Sequence, residues 1–280
     1  MPCRCRPIAA RRGWPGAGRL WHSGAMSHSP FRKALRAALP LALALAAAAC
    51  APLPPRNPLA TWVPSPNHEP RRAVLVVLHA TEQDSVAESL ATLRSHNSGG
   101  PVSAHYLIGR DGQAFQLVAD SERAWHAGAG HWGTITDVNS ASIGIELDND
   151  GTAPFPDAQV EGLLRLLEDL TTRLRIARTQ VIGHADFAPT RKVDPGRRFP
   201  WQRLAEAGFG LWPRGDLAEA PPEFDPWLAL QAIGYPLQDR AATVRAFHRH
   251  FRAMETDQLD DTDRRILQAL VAQGGGEGTP

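Results

Sequence analysis

The apolar positions of this chain alternate between the two rhythms of regular structure. Residues 73–78 form a continuous Val-rich apolar run, as in a strand buried on both faces, and the run ends directly in His79-Ala80-Thr81. Ser85-Val86-Ala87-Glu88 has the form of a capping box, and Val86, Leu90 and Leu93 give the stripe of a helix over 85–95. A Gly/Pro-bearing stretch at 97–101 stops it. A strand over 102–109, a turn over 110–113 and a return strand over 114–118 read as a hairpin. Residues 142–147 alternate, placing Ile143, Ile145 and Leu147 on one face and Gly144 and Glu146 on the other. The clearest helix spans 156–175, with Val160, Leu163, Leu164, Leu167, Leu170 and Leu174 on one side. A strand over 179–182 then runs into Gly183-His184.

Beyond that point the pattern thins. A short helix is expected over 201–207, and the proline-bearing stretch 211–222 reads as a linker. Three short helices are expected over 226–233, 240–251 and 262–272. Strands interleaved with helices, followed by helices alone, define an α/β fold: a mixed sheet flanked by helices, with a small C-terminal three-helix module. The organisation expected is an upstream and targeting segment at 1–50, a Pro-rich tether at 51–70 and a main domain at 71–210. A linker at 211–223, the helical module at 224–273 and a disordered tail at 274–280 follow.

Composition narrows the partners. The charges nearly cancel, at a formal net of +1, and no basic stripe marks the body of the chain, so nucleic-acid binding is not expected. Cys3, Cys5 and Cys50 are the only cysteines, which excludes a disulfide framework or a cysteine-based zinc site in the body of the chain. At the N-terminal end, Arg32, Lys33 and Arg36 precede an apolar stretch at 37–49, too short to span a membrane and of signal-peptide length, with Met26 as an alternative start to Met1. Ala47-Ala48-Ala49-Cys50 resembles a bacterial lipobox, with Ala47 where Leu is usual. Cys50 is then the lipidated residue, and the alternative is an ordinary cleaved signal peptide. Either way the chain is expected to be exported, touching membrane only through its anchor. A monomer is the default.

The candidate chemistry sits at strand ends. Two buried-type strands terminate in His79 and in His184, where α/β proteins place ligands. After His184, a Pro/Gly-rich loop delivers Lys192-Val193-Asp194-Pro195-Gly196, and imidazole with carboxylate suits a borderline cation such as zinc. Glu146 lies inside an apolar strand and needs a cation or a hydrogen-bond partner there. The loop 124–132 places His126 and His131 with Trp125 and Trp132 among small residues, a pocket-lining composition. Taken singly, each of these residues has an ordinary use. A strand-end His is often just hydrogen-bonded, Asp194 is well placed to cap its turn, and Glu146 to pair with a nearby cation.

Taken together, five blocks carry a resemblance: Leu78-His79-Ala80-Thr81, Val102-Ser103-Ala104-His105-Tyr106, Ala124-Trp125-His126-Ala127-Gly128, Ser142-Ile143-Gly144-Ile145-Glu146, and Gly183-His184 through Gly196. In this order they resemble the type-2 N-acetylmuramoyl-L-alanine amidases, zinc hydrolases related to peptidoglycan-recognition proteins. The C-terminal helices resemble a peptidoglycan-binding module, and the exported arrangement is similar to the outer-membrane lipoprotein amidases of Gram-negative bacteria. The resemblance implies one Zn2+ held by His79, His184 and Asp194, with Glu146 as general base and Lys192 stabilising the oxyanion. It implies cleavage between N-acetylmuramic acid and L-alanine in peptidoglycan or muropeptides, at the periplasmic face of the outer membrane or as a soluble periplasmic protein. His105 and His126 are expected as pocket-lining groups that touch substrate or stand behind those that do, the alternative for each being a packed ring with its hydrogen bonds satisfied. The rival reading is a recognition protein that binds muropeptides without cutting them.

Overall fold

Burial on both faces of a sheet sets the architecture. The computed structural model describes residues 57–97 and 99–274, so the targeting segment, Cys50 and the tail after residue 274 lie outside the described residues. The strands are β1 (Thr61–Trp62), β2 (Glu69–Pro70), β3 (Leu75–Ala80), β4 (His96–Asn97), β5 (Gly100–Pro101), β6 (Tyr106–Ile108), β7 (Ala114–Gln116), β8 (Glu122–Arg123), β9 (Ser142–Leu147) and β10 (Val181–Gly183). Six of them form one mixed sheet in the order β1-β7-β6-β9-β3-β10. β10, β3, β9 and β6 run parallel, and the β6–β7 hairpin is antiparallel.

The helices are α1 (Val86–Thr92), α2 (Val138–Ala141), α3 (Asp157–Leu174), α4 (His184–Phe187), α5 (Trp201–Glu206), α6 (Pro226–Ile233), α7 (Arg240–Arg252) and α8 (Asp261–Gly274). Half of the expected capping box opens α1: the Ser85 side chain accepts the Glu88 N–H, while the Glu88 carboxylate accepts the N–H of Asp84 and not that of Ser85. On one face of the sheet, Val76, Leu78, Ile143, Ile145 and Val181 pack against Val160, Leu163, Leu167 and Leu170 of α3. On the other, Leu75, Val77 and Ile182 join Phe187, Leu230, Phe247 and Leu267, so the C-terminal helices share a core with the sheet. Phe247 is fully buried there, and its truncation to Ala is worth about 3–5 kcal/mol. Among the described residues no helix is long and apolar enough to cross a membrane.

Three local features differ from the pattern-based expectation. The strand expected over 102–109 is shorter, because the Ser103 hydroxyl donates to the Asn67 carbonyl and accepts the Trp125 N–H, pinning that segment into a loop. From residue 57 the expected tether lies along the sheet: β1 pairs with β7, and Val63 N–H donates to Gln116 C=O at 2.6 Å. The helix α4 has no apolar period of its own and was not expected.

Candidate active site

Register brings the chemistry together. β3 and β9 pair with His79 directly opposite Glu146, so both side chains leave the sheet on one face. β10 pairs with β3 on the other side and ends in Gly183, which hands the chain to His184 at the start of α4. The loop after α4 returns Asp194, whose peptide bond to Pro195 is cis. His79, His184 and Asp194 are all buried. His79 Nδ1 lies 2.9 Å from His184 Nδ1, and Asp194 Oδ2 lies 3.1 Å from the first and 3.2 Å from the second. They line a cavity of about 550 Å³ together with Glu146, Lys192, His126 and Trp125.

The hydrogen bonds behind the rings fix what those three atoms offer. Ser142 Oγ donates to the Val138 carbonyl, so it accepts from His126 Nε2. The neutral His126 ring then presents a lone pair at Nδ1, which accepts His79 Nε2–H at 3.0 Å. His79 is left with a lone pair at Nδ1. His184 Nε2–H donates to the Ala127 carbonyl at 2.9 Å, which likewise leaves its Nδ1 bare. Burial pushes the His79 imidazole down to about 4 and pushes His126 well below its usual value, consistent with neutral rings.

Two bare nitrogens and a carboxylate oxygen at about van der Waals separation repel one another unless a cation lies among them. Tetrahedral zinc with bonds near 2.0–2.1 Å sets its ligands about 3.3 Å apart, close to the spacing found here, and two imidazoles with one carboxylate are a normal donor set. The residues fit a zinc ion, with one position left open. The outer ring nitrogens are engaged by protein groups, the arrangement that orients metal-binding histidines.

Glu146 Oε2 is buried and has no hydrogen-bond partner. Burial, followed by the Asp194 carboxylate, pushes its carboxyl up to about 8 against the opposing pull of Lys192. A carboxyl so placed takes up a proton readily at neutral pH, which suits a general base. Lys192 is half-buried on the cavity wall.

The structure places His105 elsewhere. It is fully buried, with Nδ1 accepting Gly144 N–H and Nε2 donating to Glu122 C=O, so neither ring nitrogen is left for a substrate. His126 lines the cavity, yet both its nitrogens are taken by His79 and Ser142, which makes it a support for His79. Gly144 provides its room, since a Cβ there would lie 2.4 Å from His126 Cγ. Sequence reasoning missed Asn139, whose Oδ1 accepts the N–H groups of His126 and Ala127. It also missed Arg191, which holds the Ala127 and Ala129 carbonyls beside His184. Only the run of small residues at 127–130 hinted that a long side chain must fill space there.

A sheet edge carrying two imidazoles and a carboxylate around one point, with a separate desolvated carboxyl beside them, defines a metal-dependent hydrolase. Residues 69–197 match the family model for N-acetylmuramoyl-L-alanine amidase. The chain is 36% identical over 240 residues to the N-acetylmuramoyl-L-alanine amidase AmiD of Escherichia coli, covering 74% of this chain and 84% of that one. The structure of AmiD in complex with anhydro-N-acetylmuramic acid-L-Ala-D-gamma-Glu-L-Lys superposes with a TM-score of 0.65 at 34% identity, covering 74% of this chain and 91% of the other. AmpDh3 from Pseudomonas aeruginosa superposes at 0.64 with 31% identity, over 79% and 99% of the two chains. The 1,6-anhydro-N-acetylmuramyl-L-alanine amidase AmpD of Enterobacter cloacae is 43% identical over 103 residues, 37% of this chain and 55% of that protein. The chain belongs to the N-acetylmuramoyl-L-alanine amidase family, a family of zinc-dependent enzymes.

Proposed function

We propose that His79, His184 and Asp194 hold one zinc ion and that the cavity beside it hydrolyses the amide between N-acetylmuramic acid, ordinary or anhydro, and the L-alanine of a stem peptide. The observation that carries this reading is the convergence of three lone-pair donors, spaced 2.9–3.2 Å, opposite the unpartnered carboxyl of Glu146. Zinc bound there supplies a Lewis acid that polarises the amide carbonyl and lowers the pKa of a water toward about 7. Glu146 takes the proton of the attacking water and passes it to the departing amine of L-alanine. Lys192 sets its ammonium against the negative charge that grows on the carbonyl oxygen. Trp125, with the Arg123 guanidinium 4.0 Å over its ring, offers an apolar wall to the sugar or the stem. Acceptance of the anhydro sugar is supported by the muropeptide named in the AmiD complex.

Mass spectrometry of products from defined muropeptides tests the reading with the purified, zinc-loaded chain. Free stem peptide beginning with L-alanine is the expected product. Binding without product at any zinc loading would overturn it in favour of a muropeptide-recognition protein.

The site of action is part of the proposal. The apolar segment at 37–49 and the Ala-Ala-Ala-Cys50 sequence support export, lipidation at Cys50 and residence at the periplasmic face of the outer membrane as a monomer. Cys50→Ala should move the protein from the membrane fraction to the soluble periplasm. An unchanged membrane distribution would refute the anchor.

A further inference from the structure

The C-terminal helices reach past the sheet to the turn that carries His184. Asp186, on α4, is 2% exposed, and both its oxygens are used. Oδ2 accepts Gly183 N–H at 2.7 Å and His250 Nδ1–H at 2.8 Å, while Oδ1 accepts the Tyr235 hydroxyl at 2.8 Å. Tyr235 follows α6, and His250 sits near the end of α7. Each donor is itself held by a ring: His250 stacks on Trp201 at 3.7 Å and 12°, and Tyr235 meets Trp132 edge-on at 5.1 Å.

What this carboxylate anchors is the metal centre. α4 is a single turn, which has no stability of its own in water. It nevertheless carries His184, and Ala185 N–H donates to Asp194 C=O at 2.9 Å, so two of the three donor residues hang on it. The entry to the turn is also tight. A Cβ at Gly183 would lie 2.9 Å from Pro195 Cδ and 3.1 Å from Trp201 Cζ2. A buried carboxylate could be satisfied by backbone alone. Here two side chains from a separate run of helices converge on it.

We propose that Tyr235 and His250 are positioning residues for the amidase centre, clamping Asp186 so that the 184–187 turn holds His184 and Asp194 on the donor atom of His79. The proposal rests on the metal set named above, and it gives the C-terminal helices a part in the chemistry besides any contact with the cell wall.

The test uses the full chain with Tyr235→Phe, His250→Ala and His250→Asn, the last keeping an amide N–H near the position of Nδ1. Zinc affinity is measured by chelator competition, and backbone hydrogen exchange over 184–188 is followed in the zinc-free protein. The expected result is zinc binding weaker by about 10–100-fold in Tyr235→Phe and His250→Ala, with faster exchange in the turn. A fall in kcat at constant KM accompanies it, and His250→Asn recovers most of the loss. A merely structural role would lower the melting temperature while leaving zinc affinity and turn exchange as in the wild type, and that result overturns the proposal. Tyr235→Phe keeps its ring against Trp132 and decides the matter alone if His250→Ala does not fold. A wild-type chain that binds no zinc sinks the metal reading instead. Exchange over 184–188 then decides the clamp, unchanged protection overturning it and faster exchange supporting it.

Discussion

Replacing Glu146 by Gln should make the metal-free protein more stable and the enzyme nearly inactive. The carboxyl is buried beside Asp194, Oε2 has no partner, and its titration is displaced from 4.5 to about 8. A carboxylate raised in this way binds more protons in the folded state than in the unfolded one between those two values. The contribution of this group to stability is therefore fully present below about 4.5 and is lost as pH rises toward 8. Each pH unit in that window is worth about 1.4 kcal/mol, so at pH 7 the unfavourable contribution is roughly 3 kcal/mol. Water reaching the half-exposed side of the residue trims this to about 1–3 kcal/mol. Gln keeps the shape and removes the titration. Urea unfolding of the chelator-treated wild type and Glu146→Gln at pH 5, 6, 7 and 8 should show the stability advantage of the variant widening as pH rises, the contribution of the buried histidines being common to both. With full zinc occupancy, the same variant should lose about 10²–10⁴ in kcat, the usual contribution of a positioned base. A variant that keeps more than a tenth of wild-type kcat, or an unaltered slope of stability against pH, would refute this account of Glu146.

Lys192→Met should lower kcat by about 10²-fold with little change in KM, since its ammonium acts on charge that exists only in the transition state; steady-state kinetics on one muropeptide checks it. Gly144→Ala should push His126 off His79, lowering stability by about 1–3 kcal/mol and weakening zinc about tenfold or more. Thermal unfolding and chelator competition read both effects. Chelation of the wild type should abolish turnover and lower the melting temperature, and added Zn2+ should restore both, because the three donor atoms repel one another without a cation.

Much of this was legible from periodicity because the sheet is built from simple strands. The run into His79 is buried on both faces, the strand around Glu146 alternates, and the long helix at 157–174 buries one stripe, and each of these patterns shows in a sequence. The strand-end positions of His79 and His184 followed from the same runs. What did not show is whatever depends on partners far along the chain. His105 was expected at the substrate and is instead consumed by Gly144 and Glu122, a fact set by which loop crosses behind β9. Tyr235 and His250 fall in what reads as a separate helical unit, and no local pattern ties them to Asp186 at a distance of 49 and 64 residues. α4 is too short to have a period, and the residues before β2 carry too few apolar positions to announce that they lie along the sheet.

The span between His79 and Asp194 has a kinetic meaning. Their side chains meet across 115 residues of chain, and the strands that bring them together are parallel neighbours with no hairpin to start them. Pairings of this kind close large loops and form late. His184 and Asp194 come from one local stretch, ten residues apart, but His79 joins them only when β3 and β10 pair, so a nascent segment carries at most two of the three donors and cannot hold a metal as the finished site does. Metal loading becomes the final event of maturation, and the rate at which zinc is taken up during refolding is a clock for completion of the sheet.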